Sequence, residues 1–416
     1  MRAACMLKDT AETLKKQLLI KQLQIESLLE VTKAINNNYS SGTLFRIYEF
    51  ILRAQMGVDK LVVFHKNNMW TCVCSYGLQG EEALIVNTNI EGKFTNYKDA
   101  TRLTEKPPHL PEIAPFEWIV PVYHKERPLA FLLMGEMKTN SDTLGEKIKF
   151  IQTITNIIIV AIENKRLFKQ QLQQERFNKE LEVAAQVQNM MIPKHLPNEK
   201  HLQMAGLYLP HSNVGGDYYD YLPISPTEFM VCMADISGKG VAAALLMANV
   251  QAVLRTLAHE SHSLKELVAK LNLRVKDITG GDNYITLFIA RYNAQTQTLH
   301  YINAGHNPPV LLHQNQMQLL TEGCTILGIL DELPFIDEAV LTVKPNTLIF
   351  AYTDGLVDLQ NDKGDYFTDT RLHEFLLNHT HFSAVSLIEQ LSQTINAFKG
   401  NQPPSDDISM LSFRVL

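Results

Sequence analysis

Four short stretches in the second half of the chain each carry an aspartate beside small residues: VGGDYYD (Val214–Asp220), MADISGKG (Met233–Gly240), AYTDG (Ala351–Gly355) and SDDIS (Ser405–Ser409). Asp235 follows the apolar run Phe229–Ala234, and Asp354 follows Leu348–Thr353. Asp406 precedes the run Ile408–Leu416. Short apolar runs of this kind predict buried strands. Carboxylates at the ends of buried strands repel one another unless a cation joins them. Hard divalent ions such as Mg²⁺ or Mn²⁺ take oxygen ligands, and two of them carry the charge that four carboxylates offset. Any one Asp-Gly pair, such as Asp354-Gly355, also fits a plain turn; the recurrence of the pattern is what points to a metal centre.

The stretches VGGDYYD, ADISGKG, YITLFIARY, NAGHNPP, TILGI, YTDGLVD and SDDIS occur in that order between about Met191 and Leu416. In this the chain resembles the bacterial SpoIIE-type branch of the PP2C-like (PPM) serine/threonine phosphatases. The resemblance implies two packed antiparallel sheets flanked by helices, and two divalent metal ions, Mn²⁺ or Mg²⁺. It implies that Asp235 bridges both ions, that Asp217 and the Ile236 carbonyl serve one, and that Asp354 and Asp406 serve the other. Asp407 takes the place of Asp406 if the register there is off by one. Asp217, Asp235, Asp354 and Asp406 are then the catalytic set, and water attacks the phosphorus with no covalent phospho-enzyme. The eukaryotic branch places an N-terminal arginine on the phosphate, and no counterpart precedes Asp217. Proteins of this type that follow a sensor domain act on a phosphorylated STAS-domain protein, an anti-sigma-factor antagonist. Two other readings stay open: a catalytically inactive scaffold that binds a partner through the phosphatase fold, and a hydrolase of small phosphate esters.

Other residues in this half have two readings each. The glycines of ISGKG bring backbone close to a phosphate or metal at the start of a helix over 241–254, and they also cap a core helix. Lys239 is a phosphate contact or a solvated lysine. His306, in NAGHNPP, is a general acid or a residue that fixes a turn near the metals.

With 416 residues the chain has room for two or three domains, and 45% hydrophobic content supplies real cores. A net charge of −6 gives no basic field for nucleic acid. The five cysteines are odd in number and scattered, as in reduced thiols of a cytosolic protein, and Cys72 and Cys74 share one face of a strand as packing residues. No signal peptide is evident at the N-terminus, and the longest pure apolar run, Ile157–Ile162, is far short of the roughly 20 residues that span a bilayer. A cytoplasmic setting follows.

The expected organisation is α+β throughout: an N-terminal helix over 1–39, a sensor domain over 40–166, a linker helix over 167–192 and the phosphatase domain over 193–416. Leu14, Leu18, Ile25, Leu28 and Ile35 lie on a heptad seam with Lys21 and Thr32, so the first helix either pairs with a second copy or lies on its own domain. Strands are expected at Lys60–His65, Trp70–Tyr76, Trp118–Tyr123 and Leu129–Met134. AIENKRLF (Ala161–Phe168) and the strand ending at Gly135 resemble GAF domains, small sensory modules that bind a small ligand or serve in dimerisation. His65 and His109 are expected to be ordinary polar residues there, and the expected partner of the GAF-like domain is a small ligand or a protein of unknown identity. Between Gly145 and Pro193 there is neither Pro nor Gly, so one helix of about 70 Å fits the stretch, stopped by Pro193. With the seam, this predicts a parallel homodimer.

Overall fold

The computed structural model describes residues 2–104, 111–137 and 141–416; His109 lies outside them. The chain divides into two compact units, Met1–Gln174 and Glu175–Leu416. By composition the whole is α+β, as the sequence predicts.

In the first unit, α1 (Arg2–Asn36) and α2 (Ser41–Phe50) precede β1 (Leu61–Lys66) and β2 (Trp70–Tyr76). β3 (Thr101–Arg102), β4 (Trp118–His124) and β5 (Arg127–Met134) complete an antiparallel sheet of order β2-β1-β5-β4-β3. Successive side chains of a strand point to opposite faces. Leu61 and Val63 therefore join the helices in one core, while Val62 and Phe64 join Ile85, Phe94 and Phe116 in another. Ser40 starts α2 by accepting from the Thr43 N–H. The buried Tyr48 hydroxyl and Thr155 share a hydrogen bond that ties α2 to α3 (Ser141–Met191). His65 is buried, its Nε2 3.8 Å from Glu163, and burial pushes its pKa down. The heptad seam splits: Leu28 and Ile35 pack on the core of this unit, whereas Leu14, Leu18 and Ile25 are exposed. α3 is a single helix of 51 residues that stops at Met191, two residues before Pro193.

The second unit is a four-layer sandwich. One sheet has the order β13-β10-β9-β8-β7, with β14 also paired to β10. Its strands are β7 (Tyr218–Ser225), β8 (Glu228–Ile236), β9 (Ile285–Asn293), β10 (Thr298–Ala304), β13 (Gly323–Cys324) and β14 (Ala339–Thr342). The other has the order β12-β11-β15-β16-β6: β6 (Leu202–Leu209), β11 (Val310–His313), β12 (Gln316–Leu319), β15 (Thr347–Tyr352) and β16 (Ile408–Val415). All pairings are antiparallel except β10 with β13.

Alternation sorts each strand between layers. Phe229, Val231 and Met233 of β8 meet Leu411 and Phe413 of β16 between the sheets. Met230, Cys232 and Ala234 face α4 (Val241–Glu260) and α5 (Leu264–Thr279). Ile408 and Met410 face α7 (Thr368–Asn378) and α8 (Ala384–Lys399) on the far side. A one-turn helix, α6 (Asp354–Val357), follows β15. Strands covered on both faces must be apolar throughout, which is why the sequence shows runs rather than alternation. By length and apolar composition alone α4 could cross a membrane; here Leu246, Met247, Val250 and Leu254 bury its inner face on the sheet.

Asp220, the second aspartate of VGGDYYD, is fully buried and accepts from the Tyr218 hydroxyl. Arg255 of α4 grips its two oxygens at 2.7 and 3.1 Å. The carboxylate thus fastens α4 to β7. Arg255→Met leaves that charge buried without its cation, so we expect a loss of about 3 kcal/mol, read as a lower urea midpoint for the second unit.

Candidate metal centre

The register of the first sheet brings two of the four aspartates together. Tyr218 of β7 pairs with Ala234 of β8, so Asp217 and Asp235 stand one step further along, opposite each other at the same end of the hairpin. The second sheet does the same. Tyr352 of β15 pairs with Met410 of β16, and the Thr353 N–H donates to the Ser409 carbonyl at 3.1 Å. Asp354 and the Asp406–Asp407 pair extend from that end. A hydrogen bond joins the two ends: Thr353 Oγ1 donates to Asp217 Oδ2 at 2.7 Å and accepts from the Ser409 N–H at 2.9 Å. Thr353 is fully buried.

The glycines let backbone come close here. A methyl group on Gly216 would stand 2.7 Å from the Ile236 carbonyl oxygen, and one on Gly215 would overlap the Asp407 carboxylate. A methyl group on Gly355 would overlap the Asp407 carbonyl. Asp407 itself is buried, and its oxygens accept from the His211 N–H at 2.8 Å and the Gly216 N–H at 2.7 Å. It ties the C-terminal strand to the VGGD turn.

These carboxylates are held where charge is unwelcome. Burial first, then Asp235, push Asp217 well above the usual carboxylate range, against the Thr353 hydroxyl. Burial and the neighbouring Asp354, Asp406 and Asp407 push Asp235 up to about 7. Burial and Asp406 raise Asp354. Such mutual repulsion marks a place suited to cations, and an all-oxygen donor set suits hard divalent ions. Among the described residues, no three His, Cys, Asp or Glu side chains by themselves enclose an ion.

Lys239 lies on the exposed ISGKG loop. It donates to Asp406 Oδ2 at 2.9 Å and to the Ser405 carbonyl at 2.9 Å, so it is neither merely solvated nor remote from the carboxylates. His306 is buried, and burial pushes its pKa down to about 4. It is neutral at physiological pH; its ring Nδ1 shares a hydrogen bond with Thr286 at 2.8 Å, and its backbone N–H donates to Asn303 Oδ1 at 2.8 Å. Thr286 is the strand partner of Asp235. His306 therefore supports the strand behind the site.

Residues 225–416 match the family model for stage II sporulation protein E (SpoIIE). The chain is 24% identical over 243 residues to phosphoserine phosphatase RsbU of Bacillus subtilis, covering 58% of this chain and 71% of RsbU. It is 23% identical over 235 residues to phosphoserine phosphatase RsbP of the same organism, covering 55% of this chain and 56% of RsbP. The SiaA-PP2C domain of Pseudomonas aeruginosa superposes with a TM-score of 0.52 at 19% identity, over 59% of this chain and 99% of that one. The chain carries a SpoIIE PP2C-type phosphatase domain.

Asp217 precedes the span of the SpoIIE match, yet the β7–β8 hairpin places it opposite Asp235, within the matched part. Thr353 stands in the quoted YTDG stretch without a role that the sequence could assign. Its place in the SpoIIE-type domain rests on contacts with residues 136 and 56 positions away.

The raised carboxylates give the metal-free domain a pH signature. The folded pKa of Asp235, about 7, lies above the unfolded value of about 4. Its contribution to stability is then fully present below about 4 and lost as pH rises to about 7. In excess chelator at pH 8, Asp235→Asn should be more stable than the parent chain by about 2–4 kcal/mol. Urea unfolding should show that gap closing as pH falls towards 4.

Proposed function

We propose that the chain is a metal-dependent protein phosphatase that hydrolyses phosphoserine or phosphothreonine in a partner protein of a bacterial sigma-factor pathway. The observation that carries this reading is the convergence of Asp217, Asp235, Asp354 and Asp406 at one end of two packed sheets, held together through Thr353. The names of RsbU and RsbP, both phosphoserine phosphatases, support it. Two divalent ions, Mg²⁺ or Mn²⁺, would be held by Asp235 between them, by Asp217 and the Ile236 carbonyl on one side, and by Asp354 and Asp406 on the other. When bound they supply Lewis acidity at the phosphoryl group and acidify water.

The chain's own groups set the stage for that chemistry. Thr353 fixes the orientation of Asp217. Asp407 and the paired glycines hold the VGGD turn against the second sheet. Lys239, on a flexible stem at the exposed edge, offers a cation to an approaching phosphate. The loop Ser237–Lys239 and the first turns of α4 line a cavity of about 440 Å³ with Asn283.

The substrate in this reading is a phosphorylated STAS-domain antagonist, and the setting is the cytoplasm. The first unit acts as a GAF-like sensor for a small ligand or a protein. An inactive scaffold would have no need to retain four repelling carboxylates. A hydrolase of small esters differs in turning over phospho-metabolites in preference to phosphoproteins.

Hydrolysis of a phosphoserine protein should require Mn²⁺ or Mg²⁺ and stop in excess chelator. Asp235→Asn and Asp354→Asn should each lower the rate on the order of a thousandfold while circular dichroism shows the fold intact. Full activity in chelator or in either variant would overturn the metal mechanism.

Leu14, Leu18 and Ile25 on α1, and Val183, Val187 and Met190 on α3, are exposed. In our reading these apolar faces pair with those of a second chain in a parallel dimer. Light scattering at tens of micromolar protein should give twice the mass of the chain, and Leu14→Glu with Leu18→Glu should shift it towards the monomer.

A further inference from the structure

At the end of β16 remote from the carboxylates, Arg414 is 8% exposed and points towards α7 and α8. Six residue steps of extended strand separate it from Ile408, two residues after Asp406, roughly 20 Å. Its guanidinium donates to the Thr380 carbonyl at 2.7 Å and, weakly, to the Asn346 carbonyl at 3.4 Å. Nε has no partner. Among the described residues no carboxylate stands within ion-pair distance of it. Burial pulls its pKa below the usual arginine range, the mark of a cation without a counterion. A buried arginine is ordinarily paired, and a guanidinium presents five donors suited to oxyanions.

Arg414 lines a cavity of about 510 Å³ between the second sheet and the α7–α8 connection. No Asp or Glu side chain lines it. Gln203, the cross-strand partner of Arg414, and Asn315 add amide groups. Ser383, the N-cap of the 16-residue α8, also lines it, so the positive end of that helix opens on the same space. Leu348 and Phe382 supply apolar wall. We propose that this cavity binds a small organic anion, its phosphate or carboxylate head on Arg414 beside Ser383 at the N-terminal end of α8, its apolar body against Leu348 and Phe382. The site is separate from the metal centre and does not depend on the phosphatase reading.

Calorimetric titration of the full chain in excess chelator tests this, because without metal ions the carboxylate centre repels anions. The probes are phenyl phosphate, benzoate and inorganic phosphate. At least one of the first two should bind with a Kd of about 1 mM or tighter. Comparing the two identifies the head group, and weaker binding of inorganic phosphate than of phenyl phosphate reports the apolar wall. Gln203→Glu sets a carboxylate directly across from Arg414 as an internal counterion. It should weaken binding at least about tenfold without lowering the thermal midpoint, which separates loss of the site from loss of the fold. Arg414→Gln should abolish binding where it folds. No saturable heat with any probe up to ten times that Kd, or equal binding by the parent chain and Gln203→Glu, would overturn the proposal.

Discussion

Negative charge gathered at the ends of buried strands is the constraint on which the C-terminal unit depends. Six aspartates lie in the four stretches, and each meets the cost of burial differently. Asp220 has Arg255 and a tyrosine hydroxyl. Asp407 has two backbone N–H groups. Asp217 has the Thr353 hydroxyl, and Asp406 has an exposed lysine. Asp235 and Asp354 are left facing the other carboxylates, and both are pushed upwards. Isolated buried anions either find a partner or become neutral. The groups least provided for by the protein are therefore the ones for which a metal ion offers most.

The sandwich exists to bring those groups to one edge. Each sheet contributes the end of one antiparallel strand pair, β7–β8 from the first and β15–β16 from the second. Antiparallel pairing puts the start of one strand beside the end of its neighbour, so residues distant in sequence meet without a loop having to carry them. The helices α4 and α7–α8 cover the outer faces and keep water from the strands. Loops at the edge then need only small residues: Gly215, Gly216 and Gly355 each lie where a side chain would strike backbone or carboxylate. The site is thus carried mostly on rigid strand ends, which favours fixed ligand geometry.

Strand positions were legible because burial on both faces forces apolar runs, and the runs at Phe229–Ala234, Leu348–Tyr352 and Ile408–Val415 all lie in strands. The long helix was legible because neither Pro nor Gly falls between Gly145 and Pro193. Pairings across long separations were not. Nothing local to Asp220 distinguishes it from Asp217; what does is Arg255, 35 residues on and brought back by α4. Thr353 carries no signal of its own, since a threonine before an Asp-Gly is equally at home in a turn. Arg414 looks like one more polar residue near the end of a strand until Gln203 is set opposite it. The seam on α1 was ambiguous for a different reason. A helix can use one end of a stripe on its own domain and leave the other exposed, and α1 does both.

The adjacent Asp406 and Asp407, just before β16, meet different surroundings. Asp407 turns into the domain, where His211 and Gly216 supply N–H donors, and its carbonyl lies against Gly355. Asp406 faces the rim, where its Oδ2 meets the mobile end of Lys239 and its Oδ1 accepts the Asp407 N–H. An ion drawing on Asp407 would have to compete with two buried backbone donors, each costly to leave unpaired. An ion drawing on Asp406 displaces only a lysine that can return to water. The same residue type, one position apart, is held by buried backbone donors in one case and by an exposed lysine in the other.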